Sequence, residues 1–211
     1  LIFKGLGQYD QEYMKHSCFW GTKPGKYVSL LLDYLKVGRI LDLGAGEGKN
    51  SIYLAEHGFN VIAVECSGYA IENFKKRLER LDSSIRERIE IIQADVQNYL
   101  PSGKFEAVIA YGLLHCLPSL EALHKVIHLM QLSTAGGGYN VIATFTNALP
   151  LPDVQHYLEP TFVNVGYLPT FYYDWQIISY EDDIIEEMHP TSKILHKHSI
   201  CRLLARRSKH D

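Results

Sequence analysis

The sequence predicts an α/β fold built around a parallel sheet. Three observations carry this. Short and almost wholly apolar runs recur along the chain, as strands buried on both faces require. Amphipathic stretches with helical spacing separate them. The connections are short, so strand and helix alternate, which demands parallel pairing and right-handed crossovers.

The elements follow in order. Residues 1–25 hold Tyr9, Tyr13, Phe19, Trp20 and Pro24 and show no clear periodicity. Val28, Leu31, Leu32 and Leu35 then fall at helical spacing, and Gly38 supplies a stop. Residues 39–43 read as the first strand, and a helix opens at Gly48 and ends at Gly58. Residues 60–64 form a second strand ending at Glu65, followed by an amphipathic helix over 69–81 through Ile71, Phe74, Leu78 and Leu81. Residues 89–93 and 105–110 are strands three and four; 120–132 is a helix, 136–138 a turn and 139–145 the fifth strand. Residues 149–170 are irregular and punctuated by proline. Residues 175–180 and 194–205 read as strands, with a helical 180–188 between them.

Composition narrows the class. A chain of 211 residues, 46% hydrophobic and 21% charged, suits one globular domain over 1–211. A net charge of -3 argues against a large nucleic-acid footprint. The one basic cluster, 202–209, is interleaved with apolar residues and reads as a strand with solvated ends. Cys18, Cys66, Cys116 and Cys201 are scattered and form no C-x-x-C pair, so a reducing cytoplasm is expected and a zinc knuckle is not. No apolar run is long enough to span a membrane.

The most informative stretch is Ile40-Leu41-Asp42-Leu43-Gly44-Ala45-Gly46-Glu47-Gly48-Lys49-Asn50. An apolar strand ends in a turn of alternating glycines, and a helix opens directly after it. Such a turn lets a ligand lie against backbone, and the helix aims unpaired N–H groups at the same place. Gly44, Gly46 and Gly48 take the first, third and fifth positions, whereas a dinucleotide fingerprint needs the sixth. No Gly-Lys-Ser/Thr ending appears, so the turn is not a P-loop.

This motif resembles the first motif of the class I S-adenosylmethionine-dependent methyltransferases. The resemblance strengthens downstream, with Glu65 after the second strand, Ala94-Asp95-Val96 after the third, and Gly112-Leu113-Leu114-His115 after the fourth. With Phe19-Trp20-Gly21-Thr22-Lys23-Pro24 upstream, it is closest to the tellurite-resistance-type methyltransferases. It implies a Rossmann-like, doubly wound, seven-stranded sheet of order 3-2-1-4-5-7-6 with an antiparallel last strand. It implies S-adenosyl-L-methionine as cofactor, with the glycine turn (Gly44, Ala45, Gly46 and neighbouring Asn50) against its methionine part.

Residue roles carry plainer alternatives. Glu65 would hold the ribose hydroxyls, since one carboxylate accepts two donors; otherwise it is a solvated loop acid. Cys66 would line the ribose region. Asp95 would accept from the adenine amine and the Val96 N–H would meet a ring nitrogen, or Asp95 is a turn residue. Asp42 would brace the glycine turn or reach the cofactor ammonium, or simply cap the next helix. Tyr111, Gly112 and His115 would face the methyl group, with His115 orienting the acceptor, taking a proton, or merely packing. Trp20 would close over the cofactor or staple the N-terminal segment. His124 and His128 are one helical turn apart, His196 and His198 share a strand face and His189 precedes them, but no H-E-x-x-H or third ligand at recognisable spacing predicts a metal. His196 or His198 would instead contact substrate.

The expected function is methyl transfer to a small-molecule acceptor, whether organic metabolite, thiol or chalcogen oxyanion such as tellurite or selenite. Residues 1–25 and 149–170 would form a lid and a substrate-side insertion, with Tyr157, Phe162, Tyr167, Phe171, Tyr172, Tyr173 and Trp175 suited to a planar acceptor. No nucleic-acid or membrane partner is expected, and the protein would be a monomer or homodimer. A catalytically silent S-adenosylmethionine-binding subunit and a nucleotide-dependent oxidoreductase are the other classes.

Overall fold

A computed structural model describes residues 6–153, 159–188 and 193–209, with side chains from Tyr9 onward. Seven strands form one sheet: β1 (Arg39–Leu43), β2 (Asn60–Glu65), β3 (Ile89–Gln93), β4 (Phe105–Tyr111), β5 (Thr134–Phe145), β6 (Gln176–Glu187) and β7 (His196–Arg206). Their order is β3-β2-β1-β4-β5-β7-β6, and β7 runs antiparallel to both neighbours. The helices are α1 (Leu6–Lys15), α2 (Lys26–Tyr34), α3 (Lys49–Glu56), α4 (Gly68–Leu78), α5 (Ser83–Arg86) and α6 (Leu120–Ser133). None of the described helices is long and apolar enough to cross a membrane.

Period-two alternation sends each strand's side chains into two cores. Leu41 and Leu43 of β1 join Val108, Ile142 and Leu203 against Leu123, Val126 and Met130 of α6. Ile40 points the other way, to Val61, Ile109 and Val141, under Val28 and Leu31 of α2. These side chains are essentially fully buried, and each contributes roughly 1.5–3 kcal/mol of transfer free energy. Strands with both faces covered carry no polar alternation, which is why their sequences read as continuous apolar runs.

The strand order reverses direction at β1, whose neighbours are β2 and β4. Ligands of open α/β sheets bind at that reversal, beyond the carboxyl ends of the strands. Gly48 opens α3 with φ +77°, and a Cβ there would lie 2.1 Å from the buried ring of Phe74 on α4. Backbone conformation and close packing therefore both require glycine. The hydroxyl of Ser67 caps α4 by accepting from the Ala70 N–H at 3.2 Å, and Lys75, Lys76 and Arg77 sit in its last turn, where cations oppose the dipole favourably.

Three expectations need correction. The segment 1–25 contains a helix, α1, whose Tyr13 is buried with Phe19 against Ala70 of α4. Leu6, Tyr9 and Tyr13 fall at i, i+3 and i+7, a helical spacing that the aromatic and polar mixture of the segment masks. The expected helix over 180–188 is instead strand: β6 pairs with β7 from Gln176↔Arg206 to Glu187↔His196. Tyr180 and Ile184 are spaced like a helix face, but β6 is an edge strand whose burial follows neither period. Its acids also suit a sheet edge, where charge discourages further pairing. The glycines at 136–138 lie within β5 rather than before it, opposite a register shift between Phe105 and Ala107 of β4.

Candidate functional site

The carboxyl ends of β1, β2, β3 and β4 open into a cavity of about 280 Å³. That is at the lower edge of small-molecule sites, roughly 300–1,000 Å³. Gly44, Ala45 and Gly46 form one wall. The Gly44 and Ala45 N–H groups both donate to the Val64 carbonyl, at 2.8 and 3.0 Å, which folds the turn back onto β2. Gly44 has φ +68°, and a Cβ there would come within 2.8 Å of Leu113.

Glu65 ends β2 and is buried. Its Oε1 accepts from the backbone N–H groups of Cys66 and Ser67, each at 2.9 Å, and its Oε2 from Gly46 at 2.8 Å. The carboxylate thus ties the glycine turn to the β2–α4 loop. A carboxylate offers about four acceptor positions, so the more lightly used Oε2 retains capacity. Burial, followed by the charge of Glu65, pushes the Cys66 thiol well above its ordinary value, which disfavours a thiolate nucleophile.

Asp95 lines the same cavity, with Val96 beside it. Its Oδ1 accepts from the Gln97 N–H at 3.0 Å and its Oδ2 from the Asn98 amide at 3.2 Å, an Asx turn that fixes the carboxylate. Asn50 also lines the cavity, and its Oδ1 accepts from the Gly25 N–H at 2.9 Å.

Asp42 lies behind the turn and does not line the cavity. Its Oδ2 accepts from Ser51 Oγ at 2.6 Å, bracing the first turn of α3. Burial pushes its carboxyl up to about 7; the Ser51 hydrogen bond pulls it down and Glu65 adds to the rise.

Tyr111, Gly112 and His115 line the cavity as well. His115 is buried, stacks on Phe145 at 3.9 Å and places Nδ1 3.5 Å from Thr144 Oγ1. Burial, with His198 nearby, pushes its imidazole down to about 3, so it is neutral at pH 7.

Several lining residues escaped sequence reasoning. Tyr9, Tyr13 and Lys49 line the cavity beside the expected Trp20. Glu47, inside the glycine motif, accepts from the backbone N–H groups of Cys18 (2.8 Å) and Phe19 (2.7 Å). Trp20 Nε1 donates to the Tyr13 hydroxyl at 3.0 Å. Arg202 reaches the cavity from β7, buried rather than solvated, with Nη1 2.7 Å from Glu181 and 3.1 Å from Asp183. Its alternation with Cys201 and Leu203 was the available signal. Ile185 and Glu187 of β6 complete this side.

The aromatics of the irregular segment mostly face elsewhere. Tyr167, Phe171, Tyr172 and Trp175 pack on the α6 core, and Tyr172 donates to Asn140 Oδ1 at 2.9 Å. Phe162 does not line the cavity, Tyr173 is exposed, and Tyr157 lies outside the described residues, as does His189. No described residue of 149–170 lines the cavity. His124 is taken up by Tyr167, 3.0 Å from its hydroxyl, and His128 is exposed.

The sequence profile described as "Tellurite resistance protein TehB" matches residues 11–197. The chain belongs to the TehB family. The TehB of Haemophilus influenzae (strain 10810), described as a probable S-adenosyl-L-methionine-dependent methyltransferase, is 27% identical over 158 residues, covering 74% of this chain and 51% of the relative. The chain thus spans about half the length of the curated TehB relatives it matches. A demethylmenaquinone methyltransferase of Clavibacter sepedonicus is 33% identical over 120 residues, 56% of this chain and 44% of that protein. The crystal structure of TehB from Haemophilus influenzae is similar with a TM-score of 0.73 and 21% identity, over 87% of this chain and 62% of that one. At that identity the structural likeness shows the fold, a Rossmann-like sheet with helices on both faces.

Proposed function

We propose that the protein is an S-adenosylmethionine-dependent methyltransferase acting on a small anionic acceptor, a thiolate or an oxyanion. One observation carries the reading: the glycine turn, Glu65 and Asp95 meet in a single cavity at the strand-order reversal. TehB-family membership supports it. The residues present fit the cofactor. Glu65 Oε2 retains acceptor capacity for a ribose hydroxyl, Asp95 is placed for an exocyclic amine, and Val96 and Leu113 offer apolar surface between them. When bound, the cofactor supplies an already activated methyl group.

The chain's own residues then need only position and shield. Trp20, Tyr9 and Tyr13 cover the cavity and exclude water. Arg202 and Lys49 offer positive charge to an anionic acceptor, and Tyr111 touches Arg202. His115, held neutral, orients the acceptor rather than storing a proton. No strong general base is required when the nucleophile is already anionic.

The test is calorimetric titration with S-adenosylhomocysteine and NADH, followed by product assay with thiol and oxyanion acceptors. Micromolar S-adenosylhomocysteine binding, about -8 kcal/mol, and turnover are expected. NADH binding in its place would overturn the reading, and binding without turnover on any acceptor would leave a silent cofactor-binding protein.

A further inference from the structure

We propose that Glu187, His196 and His198 form a binding site for a divalent transition-metal ion at the edge of the cavity. Glu187 is the last residue of β6 and pairs in register with His196 at the start of β7. His196 and His198 are two residues apart, so strand alternation sends both imidazoles to one face of the sheet. One donor atom from each of the three residues lies within 4.8 Å of the others, and His198 Nε2 is 3.1 Å from Glu187 Oε1.

Three features are those of a ligand set. First, His196 Nδ1 is 2.8 Å from the Ile194 carbonyl. That contact holds the ring proton on Nδ1 and leaves Nε2 as the donor atom; metal-bound histidines are oriented by such a hydrogen bond as a rule. Second, the His198 ring is locked by stacking on Phe145, with centroids 4.6 Å apart and planes 5° from parallel, and lies edge-on to His196 at 4.8 Å. Third, both imidazoles are buried, while Glu187 is partly exposed and able to adjust. In a tetrahedral site with bonds near 2.1 Å, donors stand roughly 3.4 Å apart. The His198–Glu187 pair, at 3.1 Å, already stands close to that spacing.

Two imidazoles and one carboxylate select zinc, cobalt or iron over magnesium or calcium, which prefer all-oxygen sites. Three protein ligands leave at least one position open, and Glu187 also lines the cavity. Sequence spacing concealed the set, because the carboxylate comes from the opposite strand of the hairpin.

The full chain, free of any histidine tag, is titrated with Co²⁺ while visible d–d absorption and heat are recorded. One equivalent is expected, displaced by Zn²⁺, with affinity falling at least tenfold in His196→Gln, His198→Gln and Glu187→Gln. Circular dichroism and S-adenosylhomocysteine affinity are measured on the same variants; the milder His196→Asn serves if a glutamine variant misfolds. Absence of a visible band at millimolar Co²⁺ would overturn the site. So would equal affinity in wild type and the folded variants, because surface histidines would then hold the ion. Metal binding is read without turnover, so its failure and that of the methyltransferase reading are separable.

Discussion

Glu65 serves two ends with one carboxylate. Its backbone contacts fasten the glycine turn to the next loop, and the same side chain lines the cavity. Hydrogen bonds to a charged group are worth roughly 1.5–3 kcal/mol each. Glu65→Ala should therefore weaken S-adenosylhomocysteine binding at least tenfold and also lower the melting temperature. An unchanged dissociation constant in the folded variant would refute the ribose assignment. Asp42 and His115 set opposite pH dependences. The Asp42 carboxyl is raised to about 7, so the stability tied to its protonation is present below the unfolded pKa near 3.9 and lost as pH rises through 7. Asp42→Asn keeps an acceptor for Ser51 and cannot ionise. It should gain stability over wild type at pH 8 compared with pH 5, as denaturant melts at the two pH values will reveal. His115 is depressed to about 3, so its contribution is present above pH 6.5 and lost as pH falls toward 3.

The element α1, with the turn after it, brings Tyr9, Tyr13 and Trp20 to the cavity. Glu47 grips that turn through two backbone N–H groups, and Cys18 there sits at φ +58°, a conformation costly for a residue with a side chain. Asn73 of α4 adds bonds to the Tyr13 carbonyl at 2.8 Å and to Glu47 at 3.0 Å. The expected lid thus carries the contacts of a strap. Glu47→Ala should raise hydrogen exchange over residues 9–20 and weaken cofactor binding severalfold while the sheet stays protected; unchanged exchange would mean the aromatics alone hold the segment. This element also marks where sequence reading stops. Strands β1, β2, β4 and the second half of β5 were legible because burial on both faces leaves a mostly apolar run, and Glu65 and Gly112 were legible because each stands at the end of such a run. β3, half exposed at the sheet edge, was legible from its isoleucines, with Asp95 two residues beyond it. The clamp by Glu47 joins residues nearly thirty apart, and no local pattern encodes it. The second half of β6 was misread for the same reason: its partner, not its own periodicity, makes it a strand.

At the scale of the whole molecule, the sheet divides the cavity between two sets of strands. The ends of β1, β2 and β3 present the glycine turn, Glu65 and Asp95, while β5, β7 and β6 present Phe145, Arg202 and Glu187. In the proposed reading the first set holds the cofactor and the second the acceptor. The antiparallel β7 is what permits this, because it enters the sheet at the edge where the parallel strands exit, which sets Ile200 beside Phe145 and Arg202 beside Ala143 near the end of β5. Arg202 is buried but its acidic partners are half exposed, so water can solvate them if the guanidinium is removed. Arg202→Met keeps the length and apolar body of the side chain and should leave a folded protein. Its S-adenosylhomocysteine affinity should stay within about twofold of wild type, under roughly half a kcal/mol. Turnover on the anionic acceptor should fall at least tenfold, mainly through KM, since a charge–charge contact to the ground-state acceptor is lost. Equal losses in cofactor affinity and turnover would mean that Arg202 shapes the whole cavity, and the division between strand sets would fail.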